Sequence, residues 1–423
     1  MFKDIDIPRS VYKEFYNWKN KNSDKVLFVK GARWVGKTYL VKKFVSKNFK
    51  KSVYIDLLDD KGKGLIKIIE TFNYKCSPET LIKAIKTLFK TFEDNEYTVI
   101  VIDEVQESCE VSDIIRKLNK YMKCKFILIG SNLGRITPRY IYKKNKDLKT
   151  INMYPLSFKE FIRAVNIDAF NLFNNIDINS NIDAEVDDLL MKYFKTYLIV
   201  GGYPTVVKWF IKDNDFKNVE KVQDEMISNY SMECARFLGD HKFILSIKDS
   251  FSYFVIALRI KDLNKYNPSK KIMDLKYFDV TQFLNSDYRK LMIWLLSSGV
   301  LYECDKSTDC KIVNRIFKEY FYFIDTGLLG NIIIRHSGLS TDILNILCDN
   351  YVFKTLYENN INVSSFKNEC NRYSFEIKND SKPCEIKLDN NLTTSKMSKP
   401  DDKYSSRLVV PIYLFERLIK NNK

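Results

Sequence analysis

Short runs of consecutive apolar residues along the chain alternate with longer stretches in which apolar residues recur every three or four positions. The runs are rich in Val, Ile and Phe, a pattern typical of strands that are buried on both faces of a sheet. They lie at residues 26–29, 52–56, 98–102 and 125–129. The stretches between them have helical periodicity, so strands and helices alternate. This order predicts an α/β fold with a mostly parallel sheet, helices on both of its faces, and a ligand site at the carboxyl ends of the strands.

Three later segments have weaker patterns. Residues 154–161 predict a short extended piece and then a helix with Ser157 at its N-cap. Residues 201–204, Gly-Gly-Tyr-Pro, predict a turn between two helical stretches. Residues 279–304 predict two helices, a turn at Gly299 and an apolar strand, which fits a winged helix. We interpret the first two segments as structural, whereas a winged helix can bind DNA, bind protein or simply pack.

Composition excludes several classes of protein. The 423 residues include only 13 Gly and 9 Pro, which argues against collagen-like, linker-dominated or low-complexity chains. Hydrophobic residues make up 45% of the chain, enough for a sizeable core and for two or three domains. The net charge is +16. Most basic residues are Lys, so this charge has two open explanations: an AT-rich coding sequence, or a basic surface for nucleic acid or an anionic membrane.

A glycine-containing loop follows directly after the first apolar run. Its sequence, GARWVGKT, matches the pattern G-x-x-x-x-G-K-[ST], and a helical stretch begins behind it. In such a loop the backbone N–H groups and the helix N-terminus bind phosphates, the lysine reaches the β and γ phosphates, and the Thr hydroxyl binds Mg²⁺. The residues predicted to bind ATP are Gly31, Ala32, Arg33, Trp34, Val35, Gly36, Lys37, Thr38 and the adjacent Tyr39.

Two adjacent carboxylates follow the third apolar run, at Asp103 and Glu104. At the tip of a strand beside a phosphate-binding loop, an Asp can act with Thr38 in binding Mg²⁺, and the next carboxylate can orient or deprotonate the attacking water. We therefore predict Lys37, Asp103 and Glu104 as catalytic residues. The Asp-Glu pair favours an ATP-hydrolysing enzyme over a kinase or a GTPase.

The fourth apolar run ends in a polar pair, Ser131 and Asn132. A polar side chain at this end of the sheet could contact the γ-phosphate or the attacking water. We predict that one of the two does so, and the sequence leaves open which one. A simple polar turn is the alternative.

The chain has the features expected of a cytoplasmic protein. Its N-terminus lacks the basic start and apolar stretch of a signal peptide, and its apolar segments are shorter than a membrane-spanning helix requires. The nine Cys include no C-x-x-C pair, which argues against a zinc site and favours reduced thiols. We expect no membrane partner.

Several sequence strings together resemble a known family. The strings are GARWVGKT, VIDEVQE, ILIGSNLGR, MYPLSFKEF, YLIVGGYPTVV and RIFKEYFYFIDTGLL. They are similar, in content and order, to bacterial and archaeal AAA+ ATPases that carry a C-terminal domain of unknown function. The resemblance implies an AAA+ P-loop core at 1–165, a helical lid or linker at 166–235, a winged-helix-like domain at 236–335, and a small α+β domain at 336–423 similar to PD-(D/E)xK nucleases.

The resemblance also allows the nuclease motif to be examined residue by residue. Glu385 and Lys387 match its E-x-K element, but Ser374 stands where related chains place the metal-binding Asp. Glu376, two residues further along the same strand, could point the same way, and Asp349 is the candidate for the acid of the early helix. We therefore expect a degenerate fold without nuclease activity, retained for contact with DNA or protein.

An AAA+ protein is expected to form oligomers in which a neighbouring subunit supplies an arginine to the active site. Arg135 and Arg139 are the nearest candidates here, although the arginine that relatives often carry before the YPLSF segment is absent. Two functions of the protein remain open. The first is a Mg²⁺-dependent ATPase coupled to DNA, and the second is an ATP-driven signalling or chaperone-like switch that acts on protein partners.

Overall fold

The structure is a computed structural model of the chain. It describes residues 5–20, 26–72, 77–131, 147–238, 294–306, 320–367, 373–377, 384–388, 393–398 and 408–420. The chain divides into two compact units. The first unit comprises Arg9–Tyr154 with Ser297–Gly299, and the second comprises Met1–Pro8, Pro155–Leu296 and Val300–Lys423.

The first unit contains a five-stranded sheet in which all neighbouring strands are parallel. Its strands are β1 (Val26–Gly31), β2 (Lys51–Asp56), β3 (Thr98–Asp103), β4 (Lys125–Ser131) and β5 (Leu148–Asn152), in the spatial order β2-β3-β4-β1-β5. The predicted parallel sheet is confirmed, and four strands lie where the apolar runs predicted them. The fifth was missed because only two of its five residues, Leu148 and Ile151, are buried, as befits an edge strand.

Strand β4 lies between the strand that precedes the glycine loop and the strand that ends in the paired carboxylates. Gly31 of β1 is in register with Ser131 of β4, and Ile102 of β3 is in register with Leu128. Every residue of β3 is buried. Because parallel strands end at the same edge of a sheet, the ends of β1, β3 and β4 lie side by side.

The first unit has five helices within the described residues, and three of them begin at side-chain caps that the local sequence supplies. The helices are α1 (Tyr12–Asn20), α2 (Lys37–Asn48), α3 (Asp60–Thr71), α4 (Pro78–Leu88) and α5 (Cys109–Leu118), with 3₁₀ turns at Val105–Glu107 and Asn119–Tyr121. The side chains of Asp59, Ser77 and Ser108 accept hydrogen bonds from the first turns of α3, α4 and α5. Apolar residues of these three helices share one core with the sheet.

The second unit contains a group of helices and a sheet. The helices are α6 (Phe158–Val165), α7 (Ile167–Asn175), α8 (Ala184–Val200), α9 (Pro204–Asp213), α10 (Phe216–Leu238), α11 (Thr326–Ser337), α12 (Thr341–Glu358) and α13 (Phe415–Lys420). The predicted N-cap is confirmed, since Ser157 and Glu160 form a capping box at the start of α6. The predicted turn is also confirmed, because α8 ends at Gly201 and α9 begins at Pro204.

A second sheet of seven strands belongs to the same unit. Its strands are β6 (Leu301–Lys306), β7 (Tyr320–Phe323), β8 (Val363–Lys367), β9 (Tyr373–Ile377), β10 (Cys384–Leu388), β11 (Thr393–Ser398) and β12 (Leu408–Pro411), in the order β12-β11-β10-β9-β8-β6-β7. Only β6 and β8 pair in parallel. Strand β6 and the turn at Gly299 agree with the prediction for that segment, but most of the predicted winged helix lies outside the described residues.

Three of the sequence strings meet in the interior of the second unit. The buried carboxylate of Asp325 accepts hydrogen bonds from the backbone N–H groups of Gly202, at 2.7 Å, and Leu328, at 3.0 Å. The N–H of Leu156 donates to the carbonyl of Gly202 at 2.6 Å. Burial raises the pKa of Asp325, and the positive charge of Lys354 and the N–H bonds oppose this rise. The segment around Leu156 and the turn at Gly201 thus pack in the interior, in agreement with the structural role predicted for both, and the segment of Asp325 packs against them.

Among the helices within the described ranges, none is both long enough and apolar enough to cross a membrane.

We predict that Gly202→Ala destabilises the protein by about 2–4 kcal/mol, because an added Cβ would lie 2.2 Å from the carbonyl oxygen of Leu156 and 2.7 Å from its nitrogen. Both are backbone atoms, so no side-chain rotation can move them away from the added Cβ. Gly64→Ala in α3 is the control, since its Cβ would meet only a side-chain carbon at 3.4 Å. Urea unfolding measures both variants. A Gly202→Ala protein within about 0.5 kcal/mol of wild type would contradict this account.

Candidate nucleotide-binding site

The glycine loop connects β1 to α2, and its two glycines are required for different reasons. A Cβ on Gly31 would lie 2.1 Å from the carbonyl oxygen of Met153, so only glycine fits between the loop and the chain that follows β5. Gly36 has a φ of 92°, in the left-handed region that favours glycine. Trp34 also has a positive φ, 60°. The loop is thus a tight, locally strained turn that leads into the first N–H groups of a helix.

Lys37, the first residue of α2, is buried against the loop. Its Nζ donates hydrogen bonds to the carbonyl oxygens of Ala32, at 2.7 Å, and Gly31, at 3.0 Å. Only 8% of the residue is exposed. The ammonium group is therefore held by the same loop whose backbone is predicted to bind the phosphates.

The carboxylate of Asp103 connects the loop helix to the neighbouring strands. Its Oδ2 accepts a hydrogen bond from Thr38 Oγ1 at 2.7 Å and another from the hydroxyl of Tyr54, while its Oδ1 accepts from the backbone N–H of Glu104 at 2.9 Å. Burial, followed by the bond to Asp103, raises the pKa of Tyr54, so the phenol remains a donor. Thr38 and Asp103 bring together the hydroxyl and carboxylate oxygens that Mg²⁺ prefers.

Glu104 follows Asp103 in a left-handed backbone conformation, with φ 55° and ψ 40°. Its Oε2 accepts a hydrogen bond from the amide nitrogen of Gln106 and lies 3.8 Å from Nη2 of Arg33 in the glycine loop. Gln106 in turn accepts a hydrogen bond from the backbone N–H of Ser131, at 3.0 Å, at the end of β4. The predicted catalytic carboxylate therefore lies near the glycine loop and is connected through Gln106 to the end of β4.

Three residues of the site were missed by sequence reasoning. Arg9 donates to the carbonyl oxygens of Val35, at 3.0 Å, and Tyr154, at 2.6 Å, and so connects the glycine loop to the end of the first unit. Tyr54 and Gln106 contact the two carboxylates. The sequence signals were indirect: Arg9 is an arginine in a chain that mostly uses lysine, Tyr54 lies in a predicted strand, and Gln106 belongs to the string VIDEVQE.

The remaining predicted residues are distributed more widely. Tyr39 is 48% exposed on α2, and Ser131 is buried. Asn132, Arg135 and Arg139 lie outside the described residues. The sensor and arginine predictions therefore stay predictions.

Of the residues considered for a nuclease centre, Asp349 is buried in α12. Glu376 of β9 is the cross-strand partner of Glu385 of β10. Ser374 belongs to β9 and Lys387 to β10. The nuclease-like fold remains a prediction.

Comparison with known proteins finds similarity to an AAA domain in the part of the chain that contains the five-stranded sheet. Residues 23–162 match a family model described as an AAA domain. An uncharacterized protein of Methanocaldococcus jannaschii is 26% identical over 197 residues, 46% of this chain and 38% of its own length. An uncharacterized protein of Haemophilus influenzae is 26% identical over 191 residues, 44% of this chain and 41% of its own. The matches thus span about two fifths of these relatives.

Among solved structures, a Walker-type ATPase of Pyrococcus abyssi is similar, with a TM-score of 0.43 and 14% identity, over 78% of this chain and 97% of that one. The family match agrees with what the first unit contains: a parallel five-stranded sheet, β4 between the two motif strands, and a G-x-x-x-x-G-K-T loop that leads into a helix. Residues 23–162 therefore resemble an AAA-type P-loop domain.

Proposed function

We propose that the protein binds Mg²⁺ and ATP and hydrolyses the nucleotide. The observation that carries this proposal is the 2.7 Å hydrogen bond between Thr38 Oγ1 and Asp103 Oδ2, because it joins the phosphate-loop motif to the acidic motif of another strand. Two motifs 65 residues apart in the chain thus supply adjoining oxygen atoms of the kind that a Mg²⁺–nucleotide site requires.

The loop residues Gly31 to Thr38 and the N-terminus of α2 are assigned to the phosphates. Successive N–H groups of the loop and the positive end of the helix dipole attract phosphate oxygens. Lys37 is assigned to the β and γ phosphates, where its ammonium group stabilises negative charge. Its two carbonyl contacts hold it close to the loop, and negatively charged phosphate oxygens are stronger acceptors for the ammonium group than these neutral carbonyls.

The residues near Thr38 fit a magnesium ion. A hydroxyl and a carboxylate supply hard oxygen ligands, and Asp103 is held in place by three hydrogen bonds. When bound, Mg²⁺ neutralises part of the charge on the phosphates. Thr38 and Asp103 would hold it, either directly or through water.

Glu104 is assigned to the attacking water. Its carboxylate accepts a hydrogen bond from the water, orients the water oxygen towards the γ-phosphorus, and takes its proton as the new P–O bond forms and the bond to the ADP oxygen breaks. Glu104 is partly exposed, with 21% of its side chain accessible, so water can reach it.

Three further parts of the proposal concern the rest of the chain. The net charge of +16 supports coupling to DNA, with a protein-directed switch as the alternative. Ser374 in place of an Asp supports a nuclease-like domain without nuclease activity. Nine cysteines without a C-x-x-C pair support a cytoplasmic location.

We predict that Glu104→Gln lowers the rate of ATP turnover by about 100-fold or more while the Kd for ATP stays within a few-fold of wild type, because the amide cannot accept the proton but leaves the phosphate loop intact. Phosphate release and binding of a fluorescent ATP analogue measure the two quantities. Lys37→Ala is the comparison, since it should weaken binding itself. Unchanged turnover in Glu104→Gln would contradict the role of Glu104.

If the ATPase is coupled to DNA, double-stranded DNA should bind the protein with an affinity that falls steeply between 50 and 200 mM salt, about tenfold or more. DNA should also stimulate ATP turnover in the wild type and not in Lys37→Ala. Fluorescence anisotropy and phosphate release at two salt concentrations measure these effects. Absence of salt-sensitive DNA binding would reject the DNA-coupled function and favour a switch that acts on proteins.

A further inference from the structure

We propose that Gln106 is a positioning residue for ATP hydrolysis, which fixes the carboxylate of Glu104 and ties it to the end of β4. The inference rests on the proposed ATPase function and adds to it a residue that touches neither nucleotide nor metal. It rests on two hydrogen bonds of the buried Gln106 side chain. The amide nitrogen donates to the carboxylate of Glu104, and the amide oxygen accepts from the backbone N–H of Ser131.

The orientation of the Gln106 amide is determined by its partners. The backbone N–H of Ser131 can only donate, so the atom that faces it, at 3.0 Å, must be the amide oxygen Oε1. The NH₂ group therefore points at Oε2 of Glu104, which as a carboxylate oxygen can only accept. Gln106 is buried, with 3% of the residue exposed, so its amide group has little competition from bulk water.

The backbone around Glu104 is rigid, but its side chain needs an anchor. The N–H of Glu104 donates to Asp103 Oδ1 at 2.9 Å, and its carbonyl accepts from the N–H of Glu107 at 2.9 Å. These bonds fix the main chain and leave the side-chain torsions of Glu104 free. A general base must be held in the reactive geometry before the water attacks, and only the side-chain contacts can do this.

Two side chains of the described residues contact Glu104, and the contact from Gln106 is the stronger. Arg33 Nη2 lies 3.8 Å from Oε2, beyond hydrogen-bond distance, and both groups of that pair are more than a fifth exposed. Gln106 instead makes a direct hydrogen bond from a buried position. With Oε2 fixed in this way, Oε1 is the oxygen that we assign to the attacking water.

The packing at the end of β4 leaves room for this arrangement. A Cβ on Gly130 would lie 3.1 Å from Val105 Cγ2, 3.2 Å from Phe28 Cε2 and 3.5 Å from Gln106 Oε1. Glycine at this position lets the 3₁₀ turn of Val105–Glu107 approach the strand closely enough for the bond to the Ser131 N–H. Gln106 thus connects the end of β4 to Glu104, the residue that we assign to the attacking water.

Two variants of the full chain test the proposal. Gln106→Leu removes both hydrogen bonds at similar volume, and Gln106→Glu keeps an acceptor for Ser131 but places a carboxylate against that of Glu104. For both variants we expect kcat to fall by about 10- to 100-fold while KM and the Kd for an ATP analogue stay within about threefold of wild type.

The same change in a Glu104→Gln background provides a readout that a merely structural role would not give. If Gln106 acts only through Glu104, Gln106→Leu should lower the residual single-turnover rate of Glu104→Gln by less than about twofold. Gln223→Leu is the matched control, because Gln223 is also 3% exposed and hydrogen-bonded, to the carbonyls of Ile199 and Val200 in the second unit. It should lower stability and leave kcat unchanged.

The possible results separate this proposal from the ATPase function. If Glu104→Gln is slow but either Gln106 variant binds ATP normally and turns it over at the wild-type rate, the positioning role is wrong and the proposed function stands. Loss of ATP binding in both Gln106 variants, or additive losses in the double variant, would also overturn it, because Gln106 would then be structural. Wild-type turnover in Glu104→Gln would overturn the role of Glu104 and this inference with it, whereas absence of ATP turnover in the wild-type protein would overturn the proposed function itself.

Discussion

The site depends on the parallel pairing of β4 with both β1 and β3. This pairing brings the glycine loop, the paired carboxylates and the end of β4 to one edge of the sheet, although they lie far apart along the chain. The pairing is itself enforced by burial. The three strands consist almost entirely of buried apolar residues, so a shift in register would expose them or move the polar ends away from the edge. The same buried strands therefore form the core and position the site.

Hydrogen bonds at this edge then orient the side chains that the sheet brings together. Asp103 is fixed by Thr38, by Tyr54 and by a backbone N–H, while Glu104 is fixed by Gln106. The two adjacent carboxylates thus have different surroundings. Asp103 is 4% exposed and faces the loop helix, whereas Glu104 is partly open to solvent. These differences suit a metal ligand and a base that acts on water.

The sequence predicted those parts of the structure that depend on local pattern. It predicted four strands, the glycine loop, the Ser157 cap and the turn at Gly201. These features were predictable because burial, backbone conformation and capping depend on residues that are close together in the sequence. Arg9, Tyr54 and Gln106 were not predicted, since their roles arise from contacts with residues distant in sequence. Nothing in the residues around Tyr54 indicates that its hydroxyl reaches a carboxylate on the next strand.

The central claim is that Thr38 and Asp103 together form the metal site of a nucleotide-binding domain. Electron paramagnetic resonance of Mn²⁺, used in place of Mg²⁺, tests it most directly by measuring free and bound metal with and without ATP. We predict that ATP increases Mn²⁺ binding to the wild-type protein, and that Thr38→Val and Asp103→Asn each weaken this ATP-dependent binding by about tenfold or more. Equal ATP-dependent Mn²⁺ binding by the wild type and both variants would contradict it.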